Sequence, residues 1–289
     1  MGSQFPVPVD RSMETLPPKS RIRQRYPADF LPNGDYAPLP YGRVRYWILG
    51  PENGTKVALI HGISTPAMSW TEIAPYLAEH GFRVLVYDLY GKGYSEAPHT
   101  TYDWTLFCTQ LALLLQYVRW EAAHIVGFSL GGGIAAAFTA SLPHLVSGKA
   151  VLIASAGLLE YRRRETKQTE GNSAAPKSPQ YKEFRDLQAS SLPGYKRTIQ
   201  SCYQDGPVRH LEAAFDKLAT ILVGPAQQSL QVLIIHGTED EVVPVAEADK
   251  IKSRVPQAEV FKVEGAAHDI VNRDGHWQVV AQNIVRFFR

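Results

Sequence analysis

Val126-Gly127-Phe128-Ser129-Leu130-Gly131-Gly132-Gly133 is the stretch on which the reading of this sequence turns. A lone serine stands between two glycines, directly after the apolar run His124-Ile125-Val126 and shortly before the small residues Ala135 to Ala140. The apolar run reads as a short buried strand and the alanine-rich segment as a helix pressed closely on a sheet. A turn this sharp between strand and helix holds the serine in a strained backbone conformation with its hydroxyl exposed. Glycines two residues before and two after suit it, because a Cβ at either place would collide with the neighbouring strand or helix. The pattern G-x-S-x-G occurs by chance roughly 0.1 times in a chain of this length. Its weight therefore rests on what stands around it.

Outward from this turn the chain alternates strands and helices. Val44 to Leu49, Lys56 to Ile60, Phe82 to Tyr87, Ala150 to Ile153, Val232 to Ile235 and Val260 to Val263 are short apolar runs, read as buried strands. Trp70 to His80 and Asp103 to Val118 carry apolar residues at helical spacing, the second opened by Asp103 as N-cap. This alternation predicts an α/β fold with a mostly parallel sheet covered on both faces. Residues 1–40, rich in Pro and charge, read as an irregular arm. The core is expected over 41–157 and 231–289. Residues 158–230 lack any buried-strand signal. They open with the polar run from Arg162 and continue through amphipathic stretches at Tyr181 to Ser191, Gly194 to Tyr203 and Pro207 to Val223. An insertion of this kind predicts a mainly helical cap over the sheet's carboxyl edge, where ligands bind in open α/β sheets.

Composition narrows the partners. With 289 residues, 45% apolar and 20% charged, the chain can bury a large core. A net charge of +2 points to neither nucleic acid nor a strongly acidic partner. The basic run Lys19 to Arg25 reads as a solvated part of the arm. Cys108 and Cys202 are the two cysteines; both fall in helical patterns and read as free thiols in a reducing compartment. Pro6, Pro8, Asp10 and Arg11 interrupt any secretory signal core, and no apolar run reaches the ~18 residues of a membrane span. The expectation is a soluble, cytoplasmic protein with no integral membrane segment. His124, His210, His236 and His276 lack metal-site spacing and read as structural or exposed. No cofactor or metal is expected.

An acid and a histidine follow the serine, each after its own strand. His236-Gly237-Thr238-Glu239-Asp240-Glu241 succeeds the strand at 232–235, and Glu264-Gly265-Ala266-Ala267-His268 succeeds the one at 260–263. A serine hydroxyl is a weak nucleophile, so an imidazole must take its proton, and a buried carboxylate must fix the imidazole tautomer. Ser129, His268 and one acid among Glu239, Asp240 and Glu241 are the candidate catalytic residues. His61-Gly62-Ile63-Ser64 follows the strand at 56–60, so backbone N–H groups of Ile63 and Leu130 are candidates for holding a developing oxyanion. Ser64 is the alternative donor on that loop, and His61 reads as the residue that shapes it. Phe128, Ser64, Met68 and Trp70 are candidates for lining a substrate pocket. Tyr195, Tyr203 and Phe215 either face it or pack the cap.

These motifs together resemble an α/β-hydrolase-fold serine hydrolase of the esterase and lipase type with a cap, from about Tyr41 to the end of the sequence. The resemblance rests on His61-Gly62, Asp88-Leu89-Tyr90-Gly91-Lys92-Gly93-Tyr94-Ser95, the serine turn, the Asp240 loop and His268. It implies that Asp240, rather than Glu239 or Glu241, is the acid and that Asp88 braces loops. It also implies hydrolysis of a carboxylic ester of a small or medium apolar substrate through an acyl-enzyme on Ser129. A lactonase or carbon–carbon bond hydrolase would use the same three residues, and a small-molecule receptor with little turnover would keep the fold. Epoxide hydrolases and haloalkane dehalogenases carry aspartate where Ser129 stands.

Overall fold

The computed structural model describes residues 7–160 and 179–289, so the polar run that begins at Arg162 lies outside the described residues. Eight strands form one sheet: β1 (Gly34–Leu39), β2 (Gly42–Leu49), β3 (Thr55–Ile60), β4 (Phe82–Tyr87), β5 (Ala123–Phe128), β6 (Val146–Ile153), β7 (Gln231–Gly237) and β8 (Glu259–Val263). Their spatial order is β8-β7-β6-β5-β3-β4-β2-β1. All ladders from β8 across to β4 are parallel, whereas β2 runs antiparallel to both β4 and β1. From β3 the chain goes to β4 on one side and then to β5 on the other. That reversal opens a crevice at the carboxyl ends of the strands, and the loops after β3, β4, β5, β7 and β8 all leave from this edge.

The central strands carry continuous apolar runs, at 57–60 in β3, 84–87 in β4 and 232–235 in β7, because both faces of the sheet are covered there. Successive residues of β3 go to opposite cores: Ala58 and Ile60 to one, Val57 and Leu59 to the other. Helices α3 (Trp104–Tyr117), α4 (Leu130–Ser141), α7 (Glu212–Leu218) and α8 (Ala246–Arg254) bury their apolar sides in the first core. Helices α2 (Ile73–Glu79) and α9 (His276–Phe288) cover the second through Ile73, Leu77, Val280 and Ile284. Asp103 caps α3 as its sequence position suggests, its Oδ1 accepting the Leu106 N–H at 2.9 Å. No helix among the described residues is long and apolar enough to cross a membrane.

The arm departs from expectation. Instead of remaining irregular to residue 40, it forms the edge strand β1 and a short helix α1 (Arg21–Arg25). Gly34, Asp35 and Pro38 have poor strand propensity, which hides β1 in the sequence; Pro38 is tolerated there because β1 has a neighbour on one side only. Nor is the basic run simply solvated. Arg21 and Arg25 both pair with Glu183 on α5 (Pro179–Ser191), the second at 2.9 Å. Arg23 donates to the carbonyls of Glu14 and Leu16. Further along the arm, Asp10 joins Arg197 of α6 (Tyr195–Gln204) at 2.8 Å.

The described part of the insertion has two halves. Helices α5 and α6 lie over the carboxyl edge, where Thr198 Oγ1 accepts a hydrogen bond from the buried Lys92 Nζ at 3.0 Å. Helix α7 instead packs along the core helix α4 and reaches α8. Tyr195 and Phe215 are buried and Tyr203 is exposed. Both cysteines are buried and free.

Candidate active site

Ser129 sits between β5 and α4 with φ 57° and ψ −120°, a conformation that costs a non-glycine residue about 1–3 kcal/mol. Three backbone bonds hold it there. Its N–H donates to the Ile153 carbonyl at 2.9 Å, and its own carbonyl accepts from Gly132 and Ala156. The flanking glycines are required by close approach: a Cβ on Gly127 would meet the Gly131 carbonyl, and one on Gly131 would meet the Ile60 carbonyl of β3.

The acid and the histidine arrive from neighbouring loops. Asp240 follows β7, and its Oδ1 accepts the N–H groups of Val242 and Val243 at 2.8 and 2.9 Å. This leaves Oδ2 to face His268, whose Nδ1 lies 2.7 Å away. His268 Nε2 lies 3.0 Å from Ser129 Oγ. Because a carboxylate oxygen only accepts, the imidazole proton belongs on Nδ1, and bare Nε2 accepts from the serine hydroxyl. All three side chains are buried. The structure thus brings together three residues that the sequence separates by as many as 139 positions.

The loop after β3 passes beside the serine, where a Cβ on Gly62 would lie 3.3 Å from Ser129 Cβ. His61 shapes this loop, as its sequence position suggests. Its Nδ1–H donates to the Gly62 carbonyl at 2.7 Å, and its Nε2 accepts the Leu89 N–H at 2.9 Å. Because C=O and N–H of one trans peptide point in opposite directions, the bond to the Gly62 carbonyl also orients the Ile63 N–H from that side. Leu130 opens α4, and the leading N–H groups of a helix have no acceptor within it. Asp88, after β4, is fully buried and accepts from Ala67 N (2.8 Å), Tyr94 N (2.8 Å) and Tyr26 Oη (2.9 Å). One carboxylate therefore ties the arm, the loop after β3 and its own turn.

Of the pocket candidates, Phe128 stands nearest the chemistry, its ring centroid 5.1 Å from that of His268. Trp70 is fully buried and meets Phe128 edge-on. Met68 is half-buried, and the Ser64 carbonyl accepts from Gln188 of α5. Two further side chains stand beside these residues. Of the two expectations for His236, structural or exposed, the first holds: it is fully buried beside the acid, its Nε2 2.8 Å from the Val243 carbonyl and 3.6 Å from Asp240 Oδ2. Its four-residue spacing from Asp240 was the available signal. Gln188 gave none, being one polar residue on an amphipathic helix. Among the described residues no group of three or more His, Cys, Asp or Glu is arranged to hold a metal ion.

The sequence profile of the alpha/beta hydrolase fold family matches residues 57–271. The chain belongs to this family. Its curated relatives include a non-heme chloroperoxidase of Streptomyces lividans, 24% identical over 83% of this chain and 94% of the relative. Another is the 2-hydroxy-6-oxo-2,4-heptadienoate hydrolase of Pseudomonas putida, 24% identical over 80% of this chain and 85% of the relative. Among solved structures, a hydrolase from Pseudomonas aeruginosa superposes with a TM-score of 0.73 at 19% identity, covering 89% of this chain and 98% of its own.

Buried histidines give this α/β-hydrolase-fold chain a pH-dependent stability. Burial pushes the His61 imidazole down to about 3 and that of His124, stacked on Phe288, down to about 4. An unfolded histidine titrates near ~6.5. The unfolded chain therefore takes up protons that the folded one refuses. Stability from these two residues is fully present above that value and is lost as pH falls toward about 4 and then about 3. Asp88, pushed up to about 7 by burial, acts in the opposite sense between the ordinary carboxylate range and neutrality. Comparing two proteins that both retain Asp88 removes its contribution. Urea midpoints measured from pH 7 to pH 5 are expected to fall less steeply for His124→Gln than for wild type. Equal slopes would count against neutral burial of His124.

Proposed function

We propose that this chain is a serine hydrolase that cleaves a carboxylic ester of a small or medium apolar substrate through an acyl-enzyme on Ser129. The observation that carries the reading is the continuous line from Asp240 through His268 to Ser129, at 2.7 and 3.0 Å. In the proposed cycle Ser129 Oγ attacks the carbonyl carbon as His268 Nε2 takes its proton, and Asp240 stabilises the imidazolium. The oxyanion is held by the N–H groups of Ile63 and Leu130. Collapse of the tetrahedral intermediate releases the alcohol with the proton from His268. Water, activated by the same histidine, then attacks the acyl carbon and restores Ser129. Phe128 and Met68 supply the apolar wall beside the reacting carbon in this reading, with the Ser64 segment at its rim; Trp70, fully buried, backs Phe128 rather than facing the substrate.

A second reading, carbon–carbon bond hydrolysis, is favoured by the activity named for the Pseudomonas putida relative. The test is a turnover panel of p-nitrophenyl esters of graded acyl length, lactones and vinylogous diketones, with wild type and Ser129→Ala side by side. Ester turnover that only wild type shows is the expected outcome. Turnover of the diketones with none of the esters would move the assignment to carbon–carbon cleavage.

A further inference from the structure

We infer that Gln188, on cap helix α5, is a positioning residue for the oxyanion loop, so that cap placement and oxyanion stabilisation are linked. The inference rests on the proposed roles of Ser129 and Ile63. Gln188 is fully buried, and its Nε2 donates to the Ser64 carbonyl at 2.9 Å while lying 3.4 Å from Tyr195 Oη. The residues it joins are 124 positions apart in sequence, on separate layers of the molecule.

The consequence follows from peptide geometry. His61 holds the Gly62 carbonyl from the core side and Gln188 holds the Ser64 carbonyl from the cap side. The peptide carrying the Ile63 N–H is thus the first of three consecutive peptide units whose two ends are fixed. Only the dihedrals of Ile63 and Ser64 lie between the two anchors. Without the Gln188 anchor, the next hold on that side is one residue further on, where the Thr65 carbonyl accepts from Ser69 Oγ at 3.3 Å, so the Ser64 peptide gains freedom and the aim of the Ile63 N–H is less closely set. Ala67, further along, is held independently by Asp88. The loop would therefore loosen locally at 63–64 without coming away from the core.

Helix α5 is itself tied to the arm. Arg21 and Arg25 pair with Glu183, and Tyr26 meets Phe184 edge-on at 6.0 Å. Tyr26 also donates to Asp88, which holds Ala67. The arm therefore reaches the oxyanion loop by two routes, one through α5 and Gln188, the other through Asp88.

Gln188→Met keeps the length of the side chain and removes the donor. Its effect is read in three measurements on the full chain: the rate of labelling by a fluorophosphonate, the affinity for phenylboronic acid, and KM for the best ester. Labelling rate and boronate affinity are expected to fall together, on the order of tenfold, which is less than the 10²–10³ lost when an oxyanion donor is deleted outright. KM should stay within about twofold of wild type, because uniform binding is untouched. Unchanged labelling and boronate affinity would overturn the inference. So would a rise in KM matching the loss of boronate affinity, since Gln188 would then be an ordinary substrate contact. Should the methionine variant not fold, Gln188→Glu preserves the shape and sets an acceptor against the Ser64 carbonyl, with a larger loss expected on the same readouts. Labelling of Ser129→Ala at the wild-type rate, or no labelling of wild type, would instead remove the hydrolase reading on which this one stands.

Discussion

Ser129→Ala is expected to eliminate labelling by fluorophosphonates and to lower kcat by on the order of 10⁶, about 8 kcal/mol of barrier. The size follows from what the hydroxyl does. It is the atom that would bond to the acyl carbon, and without it His268 has nothing to activate but water. Some acceleration should survive, roughly 10³-fold over water, because the N–H groups of Ile63 and Leu130 remain. The fold should survive as well. Alanine bears the same φ of 57° as serine, and the three backbone bonds at that residue do not involve its side chain. Thermal midpoint and labelling measured on one preparation separate lost chemistry from lost structure. A folded variant that still reacts covalently at wild-type rate would end the assignment.

Asp240→Asn should lower kcat by about 10⁴, or about 5 kcal/mol, with the geometry intact. The reason is local. Val242 and Val243 direct two N–H groups at Oδ1, so the asparagine must turn its carbonyl oxygen to them. Its NH₂ group then occupies the Oδ2 position and faces His268 Nδ1, which must become an acceptor. The imidazole proton moves to Nε2, and Nε2 can no longer take the proton of Ser129. The variant should bind substrate with KM near wild type and turn it over very slowly. A rate within tenfold of wild type would show that Asp240 does not set the tautomer.

Much of the architecture was legible because the chemistry of this fold follows the strands. Each of β3, β4, β5, β7 and β8 is an apolar run that stops abruptly, and the residues just after it (His61, Asp88, Ser129, Asp240, His268) leave from one edge of the sheet. Sequence order and strand ends therefore carry much of the site. What was illegible depends on contacts between distant segments. Pro38 disguised an edge strand whose partner is needed to recognise it. Arg21 and Arg25 look like a solvated charge run until Glu183 is brought beside them, and the side chain of Gln188 has meaning only against the Ser64 carbonyl. His236 stood in plain view before Gly237, but a histidine ending an apolar run does not disclose whether it faces a core or a carboxylate.

The position of β8 at the end of the sheet has a consequence for how this protein fails. Ser129 leaves from β5, flanked by strands on both sides, whereas His268 follows β8, which pairs with β7 alone and of its own residues buries only Val263. Edge elements open locally at lower free energy than the core they border. The nucleophile thus follows a central strand, whereas its base follows an edge strand and is held by the packing of Ala266, Ile270 and Val271 around it. Warming or mild denaturant would withdraw the proton acceptor while the serine and most of the sheet stayed in order, so inactivation should run ahead of unfolding.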